Sequence, residues 1–313
     1  MMAAVTPPED PRAADRPDVV RRRQLLRRRV GAAVALVVVV WVLFGLSSMG
    51  GGGGVSGPNN AAATGIAEAI SGSSPIAVQA AEDTRERRGI DHVLSYTSFV
   101  AAGGYAKREI ALTFDDGPGP FTPQVLATLE RLHVPATMFI VGRVLKDFGT
   151  EFPQELADGL AIGDHTQDHL PMATLSRRDQ VSEILTQATA IRSYGAAFPR
   201  LFRPPYGSLS RTTLAVTKKL RMLIVLWTID TSDYRQPGVS AIVDSVLSGA
   251  RPGAIVLMHD AGGQRSETIA ALPIIVHALR RRGYDLVTVP RLMADDPPPP
   301  STQGPPMGLA GGG

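Results

Sequence analysis

No cysteine occurs among the 313 residues. That excludes disulfides, zinc–thiolate centres and cysteine nucleophiles together, while fitting either redox compartment. No internal repeat is apparent. A basic surface for nucleic acid is missing too, despite a net charge of +3 and a pI near 9.4. Residues 1–29 hold eight arginines against four acids, and the remaining chain carries 24 basic against 25 acidic residues. The basicity belongs to the head, and nucleic acid is not expected as a partner of the body.

A long apolar run occurs once. RRRQLLRRR (21–29) is followed by VGAAVALVVVVWVLFGL (30–46), 17 residues without a charge, or 20 when counted on through Met49. A helix rising ~1.5 Å per residue needs about that many to cross the hydrocarbon core. The arginines on its N-terminal side predict a cytoplasmic head and an extracytoplasmic body. An all-round apolar run beside six arginines suits a soluble core helix poorly. A cleaved signal peptide, leaving a secreted form, is the stronger competitor. The 29-residue head and the lack of a small-x-small site directly after the run favour an uncleaved single-pass anchor in the cell membrane.

Composition divides the rest. The expected organisation is a basic head at 1–29, an anchor at 30–49 and a flexible linker at 50–85, glycine-rich at GGGGVSGPNNAAATG (51–65). The folded domain is expected at 86–293, and a disordered Pro/Gly-rich tail at 294–313. Residues 66–107 are ambiguous, with HVLSYTSFV (92–100) as a candidate edge strand. From 108 to 290, short apolar runs alternate with helical periodicity. Strands are expected at IALTF (110–114), ATMFIV (136–141), LFR (201–203), LIVLW (223–227), AIVLMH (254–259) and DLVTV (285–289). Helices are expected near 122–132, 152–162, 176–194, 210–220, 239–249 and 267–282, the third opening on Ser176 as cap with Asp179 in its first turn. This alternation argues for a parallel α/β sheet or barrel. In such folds chemistry gathers at the C-terminal ends of the strands.

Two adjacent carboxylates, Asp115 and Asp116, stand at such an end, where IALTF runs into DDGP. HTQDH (165–169) places two histidines at i and i+4, a spacing that puts both rings on one face of a helical turn. Alone that pair is weak evidence. With a carboxylate it forms a three-ligand set common for catalytic zinc, which leaves a coordination position open. A cation beside one aspartate relieves the like-charge repulsion and keeps both ionised. One can then bind metal while its neighbour accepts a proton.

TFDDG (113–117), HTQDH (165–169), RPPYG (203–207), DTSDY (230–234) and LMH (257–259) resemble, in order, the five motifs of the polysaccharide deacetylases, the NodB-homology enzymes of carbohydrate esterase family 4. The resemblance implies a distorted (β/α) barrel. It implies that Asp116, His165 and His169 hold a divalent metal, usually zinc, with cobalt or another divalent ion as alternatives. It further implies Asp115 as the base that deprotonates the attacking water, Arg203 as its orienting partner and His259 as the acid that protonates the leaving amine. Asp233 resembles the carboxylate that holds His259. Tyr206 resembles an oxyanion donor through its backbone N–H, and Leu257 a wall for the acetyl methyl group. Asp230 reads as a support or a turn residue, and His92, His133 and His277 match no motif.

Two positions depart from the pattern. Tyr234 replaces the usual tryptophan of the fourth motif, which bears on the sugar groove. Asp164 replaces a common asparagine before the first histidine, an extra carboxylate that could raise metal affinity or disturb the ligands' supports. The expectation is a membrane-anchored, metal-dependent hydrolase of N-acetyl groups on a β-1,4-linked amino-sugar polymer. Peptidoglycan is favoured; chitin-like oligosaccharide or exopolysaccharide, and a catalytically silent carbohydrate-binding module, are the alternatives. Oligomeric state is left open by the sequence.

Overall fold

The strand that carries the two aspartates is buried at all seven positions: β2, Glu109–Asp115. A strand covered on both faces belongs inside a parallel sheet, and β2 is paired in parallel on both sides, with β3 (Thr137–Ile140) and with β8 (Ala254–His259). The computed structural model describes residues 75–150, 152 and 160–300. Within them the sheet runs β1 (Phe99–Val100), β6 (Leu223–Val225), β5 (Leu201–Phe202), β4 (Ala161–Asp164), β3, β2, β8, β7 (Ile229–Asp230). A ninth strand, β9 (Asp285–Val287), pairs in parallel with the start of β2. Every strand pair is parallel. The result is a curled half-barrel with β1 and β7 as its edges, the coarser form of the expected barrel.

The two-residue period of β2 sorts its side chains. Ile110, Leu112 and Phe114 pack outward in one core with Val125 and Leu129 of the helix Thr122–Leu132 and with Leu272, Ile275 and Leu279 of the helix Ser266–Arg281. Ala111 faces the other way, into a second core with Phe139, Ile255 and Leu292. Thr113 and Asp115 share that inner side by alternation. The outer helices form as their apolar spacing requires, and Ser176 caps the helix Arg177–Ser193 by accepting from the Asp179 N–H.

Several expectations are corrected. HVLSYTSFV is a helix end followed by a short strand: the helix Pro75–Leu94 runs through His92–Leu94, and only Phe99–Val100 pairs, with β6 at the sheet edge. That helix starts inside the expected linker 50–85, and further along it Ile90 and Val93 enter the second core. The helix expected near 152–162 is too long at its end: Phe152 is helical, residues 153–159 lie outside the described ones, and Ala161–Asp164 form β4, where pairing with β3 and β5 overrides local propensity. DLVTV stops as a strand at Val287, since Thr288 caps a new helix, Val289–Asp295, with Pro290 in its first turn. The expected tail 294–313 begins too early. Ala294 and Asp295 end that helix, Asp296 is buried and accepts from the Gly104 N–H, and Pro298 accepts from the Tyr96 hydroxyl. The head, the apolar run 30–49 and residues 301–313 lie outside the described residues. Among the described residues no helix is long and apolar enough to cross a membrane.

Candidate active site

The strand ends deliver the motif residues to one cavity of about 590 Å³, within the ~300–1,000 Å³ usual for small-molecule sites. Asp115 closes β2 pointing inward. Asp116, with φ of 75°, turns out of the strand in the left-handed region, where non-glycine residues are uncommon and usually functional. The chain thus separates two neighbouring carboxylates into two roles.

Asp115 Oδ1 accepts from Arg203 Nη1 at 2.7 Å. Arg203 is fully buried and held on all sides. Its Nε and Nη2 donate to the carbonyls of Val225 and Leu226, Nη1 also donates to Thr113 Oγ1, and the guanidinium lies 4.1 Å from the Phe139 ring centroid. Burial lowers its pKa and Asp115 raises it, the first prevailing. An arginine so engaged stays charged. Asp115 is thereby aimed, with Oδ2 left over and 3.6 Å from His165 Nε2.

Asp116, His165 and His169 form the group whose ligand atoms all lie within 4.8 Å of one another. The two histidines meet on a loop rather than on the helical turn their spacing suggested. Thr166 and His169 both have positive φ, 69° and 58°, and the His169 N–H is tied back to Thr166 Oγ1. Glu183, from the helix behind, accepts from the N–H groups of Gln167 and Asp168 and so fixes the loop. His165 Nδ1 sits 2.6 Å from the Arg203 carbonyl. A neutral ring donating there leaves the Nε2 lone pair free for a cation. Burial pushes the His165 pKa down and outweighs Asp115 and Asp116, so the ring stays neutral. Burial alone would raise Asp116, but the His169 contact, with His165 and His259 close by, takes it down to about 2. Its Oδ1 is buried and makes no aligned hydrogen bond, although His169 Nε2 is 3.1 Å away. An ionised carboxylate oxygen with no aligned donor, beside two imidazole nitrogens, is a donor set suited to a divalent cation.

His259 stands beside Asp115 in the sheet register. Asp233 accepts from both its Nδ1, at 2.7 Å, and its backbone N–H, at 2.9 Å, while Thr268 donates to the same carboxylate. Burial disfavours the imidazolium, yet Asp233 more than compensates and the His259 pKa is raised. Asp230 accepts from the Ser232 N–H and so makes the turn that presents Asp233. Tyr206, at φ 60° and 71% exposed, has its ring against His169, and Tyr234 has its ring against His259. Leu257 lines the same cavity. Eight of the ten expected site residues line this cavity, and the other two, Arg203 and Asp233, hold Asp115 and His259 from behind.

Asp164 does not face the cation position as a second charge. It is fully buried, its Oδ1 accepts from the Thr166 N–H, and burial followed by the Glu183 charge raises its pKa far above the ordinary carboxylate value. It is a neutral acid that braces the loop. Sequence reasoning missed Arg143, Trp227 and Arg265, which also line the cavity, and Asp260, which accepts from the Thr122 hydroxyl and is pushed up to about 7 by burial and by Asp116. Asp260 could have been noticed as the residue after His259; the others carry no spacing signal.

Residues 102–225 match the family model described as polysaccharide deacetylase. The chain is 39% identical over 198 residues to a chitooligosaccharide deacetylase of a Bradyrhizobium strain, across 59% of this chain and 90% of that one. The chain belongs to the polysaccharide deacetylase family. A peptidoglycan-N-acetylglucosamine deacetylase of Bacillus cereus is 38% identical over 187 residues, 59% of this chain and 87% of its own. The crystal structure of a peptidoglycan N-acetylglucosamine deacetylase superposes with a TM-score of 0.62 at 30% identity, covering 65% of this chain and 96% of that one. As a polysaccharide deacetylase this is an enzyme, and its half-barrel is the family's. The family model ends before Asp233 and His259, so their pairing is established by the geometry described above.

Proposed function

We propose that the chain hydrolyses N-acetyl groups from a β-1,4-linked amino-sugar polymer, peptidoglycan in preference to chitin-like oligosaccharide. One observation carries this reading: the Asp115–Arg203 pair and the His259–Asp233 pair open into the same cavity as the Asp116/His165/His169 set. A divalent ion held by Asp116, His165 and His169, zinc in this proposal, supplies Lewis acidity and a lowered pKa for water. Asp115, steadied by Arg203, takes the proton of the attacking water through its open oxygen. His259, whose Nδ1 is occupied by Asp233, has Nε2 available to donate a proton to the leaving nitrogen as the C–N bond breaks. Acetate and a free amine result. The Tyr206 backbone N–H is proposed to face the developing oxyanion, Leu257 the acetyl methyl and the Tyr234 ring the sugar. A positioned base and a positioned acid are each worth roughly 10²–10⁴-fold.

The membrane anchor, the extracytoplasmic placement of the domain and the division of the chain before residue 75 are part of the same proposal and rest on the sequence alone. Localisation is tested by fractionating cells that express the full chain and probing intact cells with protease: a membrane-bound, externally cleavable body supports the anchor, and a cytoplasmic body overturns it. Activity is tested by acetate release from peptidoglycan and from N-acetylglucosamine oligomers, with zinc or cobalt supplied in turn. Metal-dependent acetate that is lost in Asp115→Asn and in His259→Ala supports the assignment. No acetate from the metal-loaded chain on either polymer moves the reading to another acyl substrate or to a binding module.

A further inference from the structure

Asp260 is a buried acid that the reaction above leaves without a task. It follows His259 at the end of β8, it is closed off from solvent, and its Oδ1 has no hydrogen-bond partner among the described residues. Burying a polar atom without a partner is costly, and an apolar residue of similar size would fill the space without that penalty. The carboxylate is better explained by what it holds.

It holds the turn after the two aspartates. The β2–β8 register sets Asp115 beside His259, and the Asp260 N–H extends the ladder by donating to the Asp115 carbonyl at 3.3 Å. Asp260 Oδ2 accepts from the Thr122 hydroxyl, whose oxygen accepts from the Gly119 N–H at 2.8 Å. Thr122 opens the helix Thr122–Leu132, which is fixed in the core through Val125 and Leu129. Between these anchors the carboxylate lies against Gly117, where any Cβ would overlap it.

A second contact crosses in the opposite direction. Gly262, at φ 73°, approaches Asp116 so closely that a Cβ there would overlap Oδ2. The loop around Gly262 is tied down by buried Arg265, whose Nε donates to the Ala261 carbonyl at 2.7 Å and whose Nη1 donates to the Gln264 carbonyl at 2.8 Å. With Oδ2 confined by Gly262, Asp116 presents Oδ1 to the histidines, 3.1 Å from His169 Nε2 and 3.7 Å from His165 Nε2. Two strand-end loops are thus interlocked, one bearing Asp116 and the other continuing from His259.

We propose that Asp260 is a positioning residue. Its carboxylate locks the 260–262 loop to the Gly117–Thr122 turn, and through Gly262 this lock sets which oxygen Asp116 offers to a metal ion and how Asp116 stands against His259. The proposal rests on the reading that Asp116, His165 and His169 hold a divalent ion.

The test compares Asp260→Ala, Asp260→Asn and Thr122→Val in the full chain. Zinc affinity is measured by equilibrium dialysis, and the visible spectrum of the cobalt-saturated protein reports ligand geometry. Asp260→Ala is expected to weaken zinc binding about tenfold, within the range typical of residues that support a metal ligand, and to shift the cobalt absorption. Asp260→Asn keeps the shape and an oxygen for Thr122, so it should stay within about threefold of the parent and keep the parent spectrum. Thr122→Val should move both readouts in the same direction as Asp260→Ala, and combining the two should add little, because they break one contact. A folded Asp260→Ala with parent affinity and spectrum overturns the proposal, since a purely structural role would lower only the unfolding midpoint. An Asn variant as impaired as the Ala variant overturns it as well, because the effect is then one of charge and not of placement. If Asp260→Ala fails to fold, Thr122→Val decides by the same two readouts. A parent chain that takes up neither zinc nor cobalt overturns the metal reading and the proposal with it, whereas a metal-binding parent with unmoved variants overturns the proposal alone.

Discussion

The two ends of the parallel sheet are built from the same residue types and behave differently. At the C-terminal ends, charged groups are buried, and the backbone adopts positive φ at Asp116, Thr166, His169, Tyr206 and Ser232. At the N-terminal ends, charges meet near the surface. Arg200 and Arg221, which precede β5 and β6, both reach Asp91, and Asp295 gathers Arg85 from the middle of the helix Pro75–Leu94, Lys107 from a loop and Arg291 from its own helix. Residues held in such φ regions cost of order 1–3 kcal/mol each and persist where the surroundings over-determine them. His133 and Arg221 share that backbone region at the N-terminal end, so the contrast lies in the convergence of buried charges on one cavity at the other end, and substitutions should separate activity from folding according to the end they strike.

The largest effect is expected where ligand and strain coincide. His165→Ala or Asp116→Ala should weaken zinc binding by more than about 100-fold, beyond the loss typical of a ligand's supporting residues, and should abolish acetate release; equilibrium dialysis against zinc checks the first. Next, Asp115→Asn should lower kcat by roughly 10²–10⁴ with zinc still bound. Loss of the metal along with the activity would break the division of labour between the two aspartates. Third, the raised His259 pKa sets the sign of a pH effect. The imidazolium is present below its folded pKa and lost as pH rises through it, so the alkaline limb of kcat should lie above the ordinary histidine value of about 6.5. The stability contributed by the His259–Asp233 pair is complete below about 6.5 and vanishes over the same rise. Asp233→Asn should move the alkaline limb to lower pH, as a pH–rate profile would record.

At the other end, Asp295→Ala should cost about 1–2 kcal/mol of stability, three partly exposed cations losing their acceptor, and leave kcat/KM unchanged; denaturant unfolding and acetate assays together decide. The smallest effect is expected at Asp164→Asn. The acid is already neutral, so exchanging it for an amide of the same shape should leave zinc affinity within about threefold of the parent. A larger change would mean that Asp164 acts as a charge.

The sequence announced the site better than its scaffold. Asp115, Asp116, His165, His169, Arg203, Asp233 and His259 sit at motif positions whose spacing survives any reading of the loops between them. What it could not disclose was backbone shape. HxxxH looks helical because four residues make a helical turn, and only the Thr166 and Glu183 contacts reveal a loop. β4 went unseen because four residues containing a glycine have little strand signal of their own and depend on β3 and β5. The helix Pro75–Leu94 followed a glycine-rich stretch and is mostly exposed over 79–88, so its amphipathic cue was weak. Arg143 and Arg265 belong to no motif, and only the curl of the sheet brings them to the cavity.

The seam between the first and last described helices bears on how the chain can be divided. Arg85 reaches Asp295, Arg291 approaches Glu82, Ile90 shares a core with Leu292 and Met293, and Tyr96 holds Pro298. Limits drawn around the motifs, at 86 and 293, cut through both sides of this clasp and expose the apolar faces it joins. A self-standing fragment has to include Glu82 at one end and Pro298 at the other, so the smallest workable unit is set by a contact distant from every catalytic group.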